Sequence, residues 1–216
     1  MNLIFSILIN YLPLLIVAII LCVKNTEIKW FMPIFSVLIG MLAVLPTTLI
    51  QFLFPEFLFA KQSLLTLLFS SLVYIALVEE LCKAFCLYLI PSKNLSLPSF
   101  FALSFLMGYS FGSFENVIYV LQGMTNPILR IFTSCIVHGI CTATSSFFIW
   151  FLKKKKFHLT LILTPIFVHG LYDFFAGFPG RFWLFSIIVL FYGIFQCMVF
   201  TKCSETKILQ TNNFLQ

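Results

Sequence analysis

Val78-Glu79-Glu80-Leu81-Cys82-Lys83-Ala84-Phe85-Cys86 lies deep inside an apolar run that begins near Leu64 and ends at Pro91. Two carboxylates and an ammonium therefore stand where the core of a bilayer would be. A charge at the centre of a membrane helix costs about 2.5–3.5 kcal/mol even on the lenient insertion scale, so residues placed there read first as a functional site. Glu79 precedes Lys83 by four positions, the favourable order for an ion pair on one helix face. Glu80 falls about 100° further round the helix. Both carboxylates border one interior space only where that face meets other helices.

The chain around this stretch has 216 residues, of which 61% are hydrophobic and 9% charged, with a mean hydropathy of +1.08. No soluble domain of this length has such a composition. The apolar runs are continuous and near the roughly 20 residues that a helix needs to cross a hydrocarbon core, which excludes the short alternating segments of a barrel. The expected fold is an all-α polytopic bundle of seven spans: about Leu3–Val23, Trp30–Phe54, Leu64–Ile90, Pro98–Leu121, Ile131–Leu152, Leu159–Phe178 and Phe182–Thr201. With no repeat or low-complexity block in view, residues 1–216 read as one integral-membrane domain with its motif-bearing core at 64–178. The first run has neither a basic leader nor a small-residue cleavage site before Lys24, so it is expected to be a retained helix.

Connecting segments set the orientation. With the N-terminus outside and the C-terminus cytoplasmic, Lys24, Lys29, Lys93, Lys153 to Lys156, Lys202 and Lys207 face the cytoplasm, nine in all, against Lys61, Arg130 and Arg181 outside. That bias follows the positive-inside rule. It also absorbs the net charge of +6, so no nucleic-acid partner is expected; the lipid bilayer is the environment. The seven cysteines fall mostly in apolar runs and read as small buried side chains rather than a disulfide framework.

The acidic residues divide sharply. Glu27, Glu56 and Glu205 fall in loops or the tail and need no special explanation, whereas Glu79, Glu80, Glu115 and Asp173 fall inside spans, as do His138 and His169. In the fourth span Ser104, Gly108 and Gly112 recur every four residues on the side of Glu115, where small residues let another helix come close. In the fifth, Ser134, His138, Cys141, Thr142 and Ser145 form a polar stripe; in the sixth, His169 and Asp173 are four apart on one face, and Pro165 makes a local kink plausible. By residue counting these groups lie at compatible depths, around a water-filled pocket opening outward.

Adjacent carboxylates, a third acid and two imidazoles suit the activation of water for hydrolysis, one group acting as base while another donates to the leaving amine. Other intramembrane designs are missing parts. Asp173 is the only aspartate, which excludes an aspartyl dyad, and neither His138 nor His169 has a second histidine and glutamate at zincin spacing. Gly112-Ser113-Phe114 does not supply a serine-protease loop. Chains of buried acids and histidines also serve as proton relays, so a proton-coupled transporter is the alternative, and a silent scaffold for partner helices is a third.

Glu79-Glu80-Leu81-Cys82-Lys83, Phe111-Gly112-Ser113-Phe114-Glu115-Asn116-Val117-Ile118-Tyr119, His138, and His169-Gly170-Leu171-Tyr172-Asp173-Phe174 together resemble the ordered motifs of the PrsW family of intramembrane proteases, relatives of the CAAX prenyl-protease and bacteriocin-processing group. The resemblance implies a glutamate-dependent endopeptidase in a bacterial cytoplasmic membrane, acting on a membrane-anchored protein such as an anti-sigma factor. Carried over by position, the catalytic set is Glu79, Glu80, Glu115, His138, His169 and Asp173, with Lys83 and Asn116 in support. The family mechanism is described as metal-independent, so no cofactor and no metal ligand is expected, although this donor set could hold a divalent ion. One departure is Ser96-Leu97-Pro98-Ser99-Phe100, where relatives often carry an acidic Asp-Gly segment.

Overall fold

The computed structural model describes residues 3–54, 63–123, 127–178 and 180–213. The described residues are helical, in the order α1 (Leu3–Lys24), α2 (Phe31–Leu53), α3 (Leu64–Phe69), a π-helical segment (Ser70–Leu77), α4 (Val78–Tyr88), α5 (Leu97–Leu121), α6 (Pro127–Phe132), α7 (Ser134–Lys153), α8 (Thr160–Ala176) and α9 (Leu184–Asn213). Among the described residues, six helical stretches are long and apolar enough to cross a membrane: α1, α2, the continuous Leu64–Tyr88, α5, Pro127–Lys153 and α9. The sixth predicted span is the shorter α8, whose 17 residues rise about 25 Å because Gly177 and Phe178 leave the helix. Being largely buried among other helices, α8 does not have to match the bilayer thickness by itself.

Large apolar side chains coat the outside, with Phe52 80%, Leu65 77% and Phe85 71% exposed. On a soluble protein so much exposed apolar surface would drive association; here it is the lipid-facing coat of a multi-pass membrane protein. Inside, α5 is the central helix, packed chiefly on α7 and α2, while α8 joins α7 to the π-helical segment.

Glycines set these approaches. A Cβ on Gly40 would overlap the backbone of Met107, and one on Gly108 would overlap the carbonyl oxygen of His138. A Cβ on Gly112 would strike the His138 ring, so the small-residue stripe of α5 is the seat of that histidine. Gly170, next to His169, lies against Ser71 and Leu72 of the π-helical segment. A π-helix shifts the register of every turn after it. The turn immediately after this one carries Glu79 and Glu80.

Local chemistry marks the starts. Ser63 caps α3 reciprocally with Thr66, and Ser96 caps α5 with Pro98 in its first turn. Glu27 has a specific partner after all. Its Oε2 accepts from the Ser96 backbone N–H at 2.8 Å and from the hydroxyls of Ser96 and Ser99, both at 2.6 Å, tying the α1–α2 connection to the head of α5. Glu56 lies outside the described residues, as does the side chain of Glu205. The three bonds hold the Glu27 carboxyl below its ordinary range. A carboxylate lowered in the folded state stabilises above its unfolded pKa, and that contribution is lost as pH falls through the folded value. Glu27→Gln should therefore speed amide exchange at Ser96 at pH 7, with the difference from wild type shrinking on acidification below the ordinary glutamate range.

The six described cysteines are free, and all but Cys22 are buried, as their apolar context suggests.

Candidate active site

Glu79 and Glu80 project from the first turn of α4 into the bundle, 4% and 0% exposed. Lys83, one turn on, is fully buried between them: its Nζ is 2.8 Å from Glu80 Oε1 and 3.4 Å from Glu79 Oε2. The Glu79 pairing expected from spacing is present, and Glu80, three residues away, is the nearer partner. The ammonium also donates across the bundle to His138 Nδ1 at 2.9 Å and stands 4.2 Å from the centre of the Phe111 ring.

That contact fixes the tautomer of His138. With Nδ1 accepting, Nε2 carries the hydrogen and donates to Glu115 Oε2 at 3.1 Å. Glu115 receives a second donor, Arg130 Nη2 at 2.9 Å, and the Tyr119 hydroxyl at 3.2 Å. Arg130 is not the outer-loop charge that residue counting makes of it. It belongs to α6, its guanidinium faces the Tyr119 ring at 4.3 Å, and it also reaches Ser134 at 3.2 Å. The sequence does carry a periodic signal for this role, since Arg130, Ser134 and His138 are spaced by four across the α6–α7 break.

His169 completes the centre from α8. Its Nδ1 approaches Glu80 Oε1 at 2.9 Å without the alignment of a hydrogen bond, and its Nε2 is 3.3 Å from Asp173 Oδ2 and 3.8 Å from Glu79 Oε2. The His138 and His169 rings meet edge to face at 4.7 Å. Glu79, Glu80, Glu115, His138, His169 and Asp173 therefore come together from four helices. Asn116 does not join them: its Nδ2 donates to Asn10 Oδ1 and to the Pro127 carbonyl, tying α5 to α1 and α6.

The donor set fits a divalent ion on three counts. One atom each from Glu79, His138 and His169 lies within 4.8 Å of the other two, and Glu79 Oε2 is 3.7 Å from His138 Nδ1 and 3.8 Å from His169 Nε2. Tetrahedral ligands at about 2.0–2.1 Å from zinc stand some 3.3–3.4 Å apart, so the two distances from Glu79 are within a few tenths of an ångström of ligating ones. Buried Glu79 Oε2 makes no hydrogen bond. Finally, the carboxylates of Glu79, Glu80, Glu115 and Asp173 crowd around Lys83, Arg130 and the two imidazoles, an acid-rich setting that favours a cation. Behind the donors, Glu115 and Glu80 face the other ring nitrogens of His138 and His169, the supporting carboxylates that ligating histidines usually have.

The model of the family described as PrsW family intramembrane metalloprotease matches residues 29–201. That description and the Glu79, His138, His169 set weigh against the expectation of a metal-free centre. Neither the curated proteins nor the solved structures include a match to the chain. With the family model spanning all four motif-bearing helices and the acids and imidazoles of those motifs gathered at one buried centre, the chain belongs to the PrsW family of intramembrane proteases.

Proposed function

We propose that this centre hydrolyses a peptide bond in a membrane-anchored protein, with Glu79, His138 and His169 holding a divalent ion. The observation that carries the reading is the convergence of four acids and two imidazoles from α4, α5, α7 and α8 inside an apolar bundle, where packing requires none of them. When bound, such an ion polarises a carbonyl and makes water a better nucleophile at neutral pH.

The chain's own residues divide the remaining work. Glu115 and Glu80 orient His138 and His169. Glu80 also keeps Lys83, its closest partner, when an ion competes with the ammonium for Glu79 and His138. Asp173 borders the three donors without sharing their mutual reach, and its side chain is the most accessible of the four acids at 24% exposed. It is placed to take the proton from attacking water and pass it to the leaving amine. Arg130 neutralises Glu115 and turns that wall of the site toward donors.

The lysine bias supports an N-out orientation, which puts Glu115 and Asp173 in the outer half of a bacterial cytoplasmic membrane. The resemblance supports an anti-sigma factor as the class of substrate.

Purified protein in vesicles, given a single-span reporter, should cleave it, stop when chelators strip the metal, and resume when zinc is restored. Undiminished turnover by protein stripped to well below one ion per chain would remove the metal from the reading. Proton flux into the vesicles with no hydrolysis would replace the protease reading with the relay one.

A further inference from the structure

Lys83 stands where a cation at this centre has to stand. Its Nζ is 2.9 Å from His138 Nδ1, 3.4 Å from Glu79 Oε2 and 2.8 Å from Glu80 Oε1. An ammonium has three donors, and this one has three acceptors around it. Lys83 is fully buried, so these partners take the place of water for its charge. Two of them, His138 Nδ1 and Glu79 Oε2, are also among the three atoms placed to hold a divalent ion.

The two cations exclude each other on two grounds. A neutral imidazole has one nitrogen lone pair to offer, and while Nδ1 accepts the Lys83 hydrogen it cannot bond an ion. Spacing is the second ground. Nδ1 and Oε2 are 3.7 Å apart. An ion about 2.1 Å from each would lie at most about 3.5 Å from Nζ, on whichever side of the line between the donors it sat. Like charges that close repel strongly inside a bundle. The ammonium nevertheless has somewhere to remain. Glu80 Oε1 is its nearest partner and Glu80 is not one of the three donors, and the Phe111 ring, centred 4.2 Å from Nζ, offers its face to the charge. A flexible four-carbon stem lets the head group shift while those two contacts persist.

We infer that Lys83 is a tethered cation that fills the metal position in the ion-free chain, and that loading the metal is an exchange. The ammonium gives up His138 Nδ1 and Glu79 Oε2 and keeps Glu80 and Phe111. A positive charge stays beside the crowded carboxylates in both states, so the bundle folds without metal and rests in an inactive form. The exchange also sets a threshold for activation, because an incoming ion must first break a charge-assisted hydrogen bond. Lys83 thereby determines how tightly the centre holds its metal.

The exchange rests on the proposal that Glu79, His138 and His169 bind an ion, and its tests need no hydrolysis. Zinc affinity is measured by competition with a chromophoric chelator, on purified protein in lipid discs at one pH. Lys83→Met should bind zinc about 10–100-fold more tightly than wild type, the usual strength of a hydrogen bond to a charged group. Glu80→Gln/Lys83→Met should exceed Glu80→Gln in the same direction, and this pair decides the matter if the single Lys83 variant does not fold. Arg130→Gln separates contact from general charge. It removes a cation that is bonded to Glu115 and lies partly exposed, outside the three donors, so screening should hold its gain to about threefold or less. No gain on removing the ammonium, or as large a gain in Arg130→Gln, overturns the exchange.

The second measurement uses wild type. Protein labelled with nitrogen-15 at lysine and histidine, in vesicles, should show a nitrogen–nitrogen correlation between an ammonium and an imidazole when ion-free. The correlation should be absent from Glu80→Gln/Lys83→Met and should vanish from wild type as zinc saturates the centre. Its persistence at saturating zinc, or its absence from ion-free wild type, overturns the exchange. Zinc binding that displaces the ammonium without any cleavage of the reporter supports the exchange and removes only the protease reading. Cleavage by protein that binds no zinc, with or without Lys83, overturns the exchange and leaves the protease reading standing.

Discussion

Glu79→Gln protein is expected to cleave the single-span reporter about a thousandfold more slowly than wild type, and to retain roughly a tenth or less of its metal, while still folding. The first two effects have one cause. Glu79 Oε2 is the atom that both imidazoles face, at 3.7 and 3.8 Å, and it makes no hydrogen bond of its own. Replacing it by an amide leaves two neutral nitrogens to hold a divalent ion. Losing even a supporting residue of a metal site typically lowers affinity 10–100-fold, and losing a charged ligand should do more. Folding survives for a separate reason: Lys83 keeps its 2.8 Å bond to Glu80, and removing one of several crowded carboxylates relieves like-charge repulsion.

Asp173→Asn is the informative partner. It should retain the metal yet lose turnover by 10²–10⁴, the usual range for a positioned proton-transfer group. Metal content by mass spectrometry, reporter cleavage and thermal unfolding read all three quantities on one preparation. Full metal occupancy and full turnover in Glu79→Gln would leave Glu79 without a role in either binding or chemistry.

The span pattern is legible in the sequence because hydrophobicity is a property of each segment alone, and length decides whether a helix crosses. The candidate site is legible for a related reason: an acid inside an apolar run is conspicuous wherever the run packs, so Glu79, Glu80, Glu115 and Asp173 stand out without any contact being known. What connects them is hidden, because it depends on which helices approach and how closely. Spacing along one helix names Glu79 as a partner of Lys83, which it is at 3.4 Å, but does not reveal that Glu80 is nearer at 2.8 Å or that the ammonium crosses to His138, seated on Gly108 and Gly112. An apolar count puts Arg130 in a loop, whereas the short α6 carries it back toward Glu115. Asn116 shares its helix with Glu115 but faces α1 and α6, a difference of one residue that sequence order alone leaves open.

Lys83→Met is expected to destabilise the protein by about 3–5 kcal/mol, the usual cost of leaving one partner of a buried pair uncompensated. For a chain of 150–250 residues that corresponds to a drop in Tm of about 6–20 °C. Lys83 is fully buried and Glu80 is 0% exposed, so neither water nor a surface ion can replace the lost charge. His169 Nδ1 at 2.9 Å is the neighbour left to Glu80 Oε1, while Glu80 Oε2 has no hydrogen-bond partner at all. The double variant Glu80→Gln/Lys83→Met removes both charges and should recover most of the loss, since a buried ion pair is often replaceable by neutral groups at little cost. Saturating zinc should return part of the stability to the single variant, because an ion at Glu79, His138 and His169 restores positive charge beside Glu80. Lys83→Arg will not substitute for wild type: the fully buried Nζ lies within 2.9 Å of both Glu80 Oε1 and His138 Nδ1, a site shaped for a compact ammonium and not for a larger planar guanidinium. Thermal unfolding in lipid discs, with and without zinc, measures all four. A single variant that melts within a degree of wild type, or a double variant no better than the single, would mean that the ammonium is not what makes Glu80 tolerable inside the bundle.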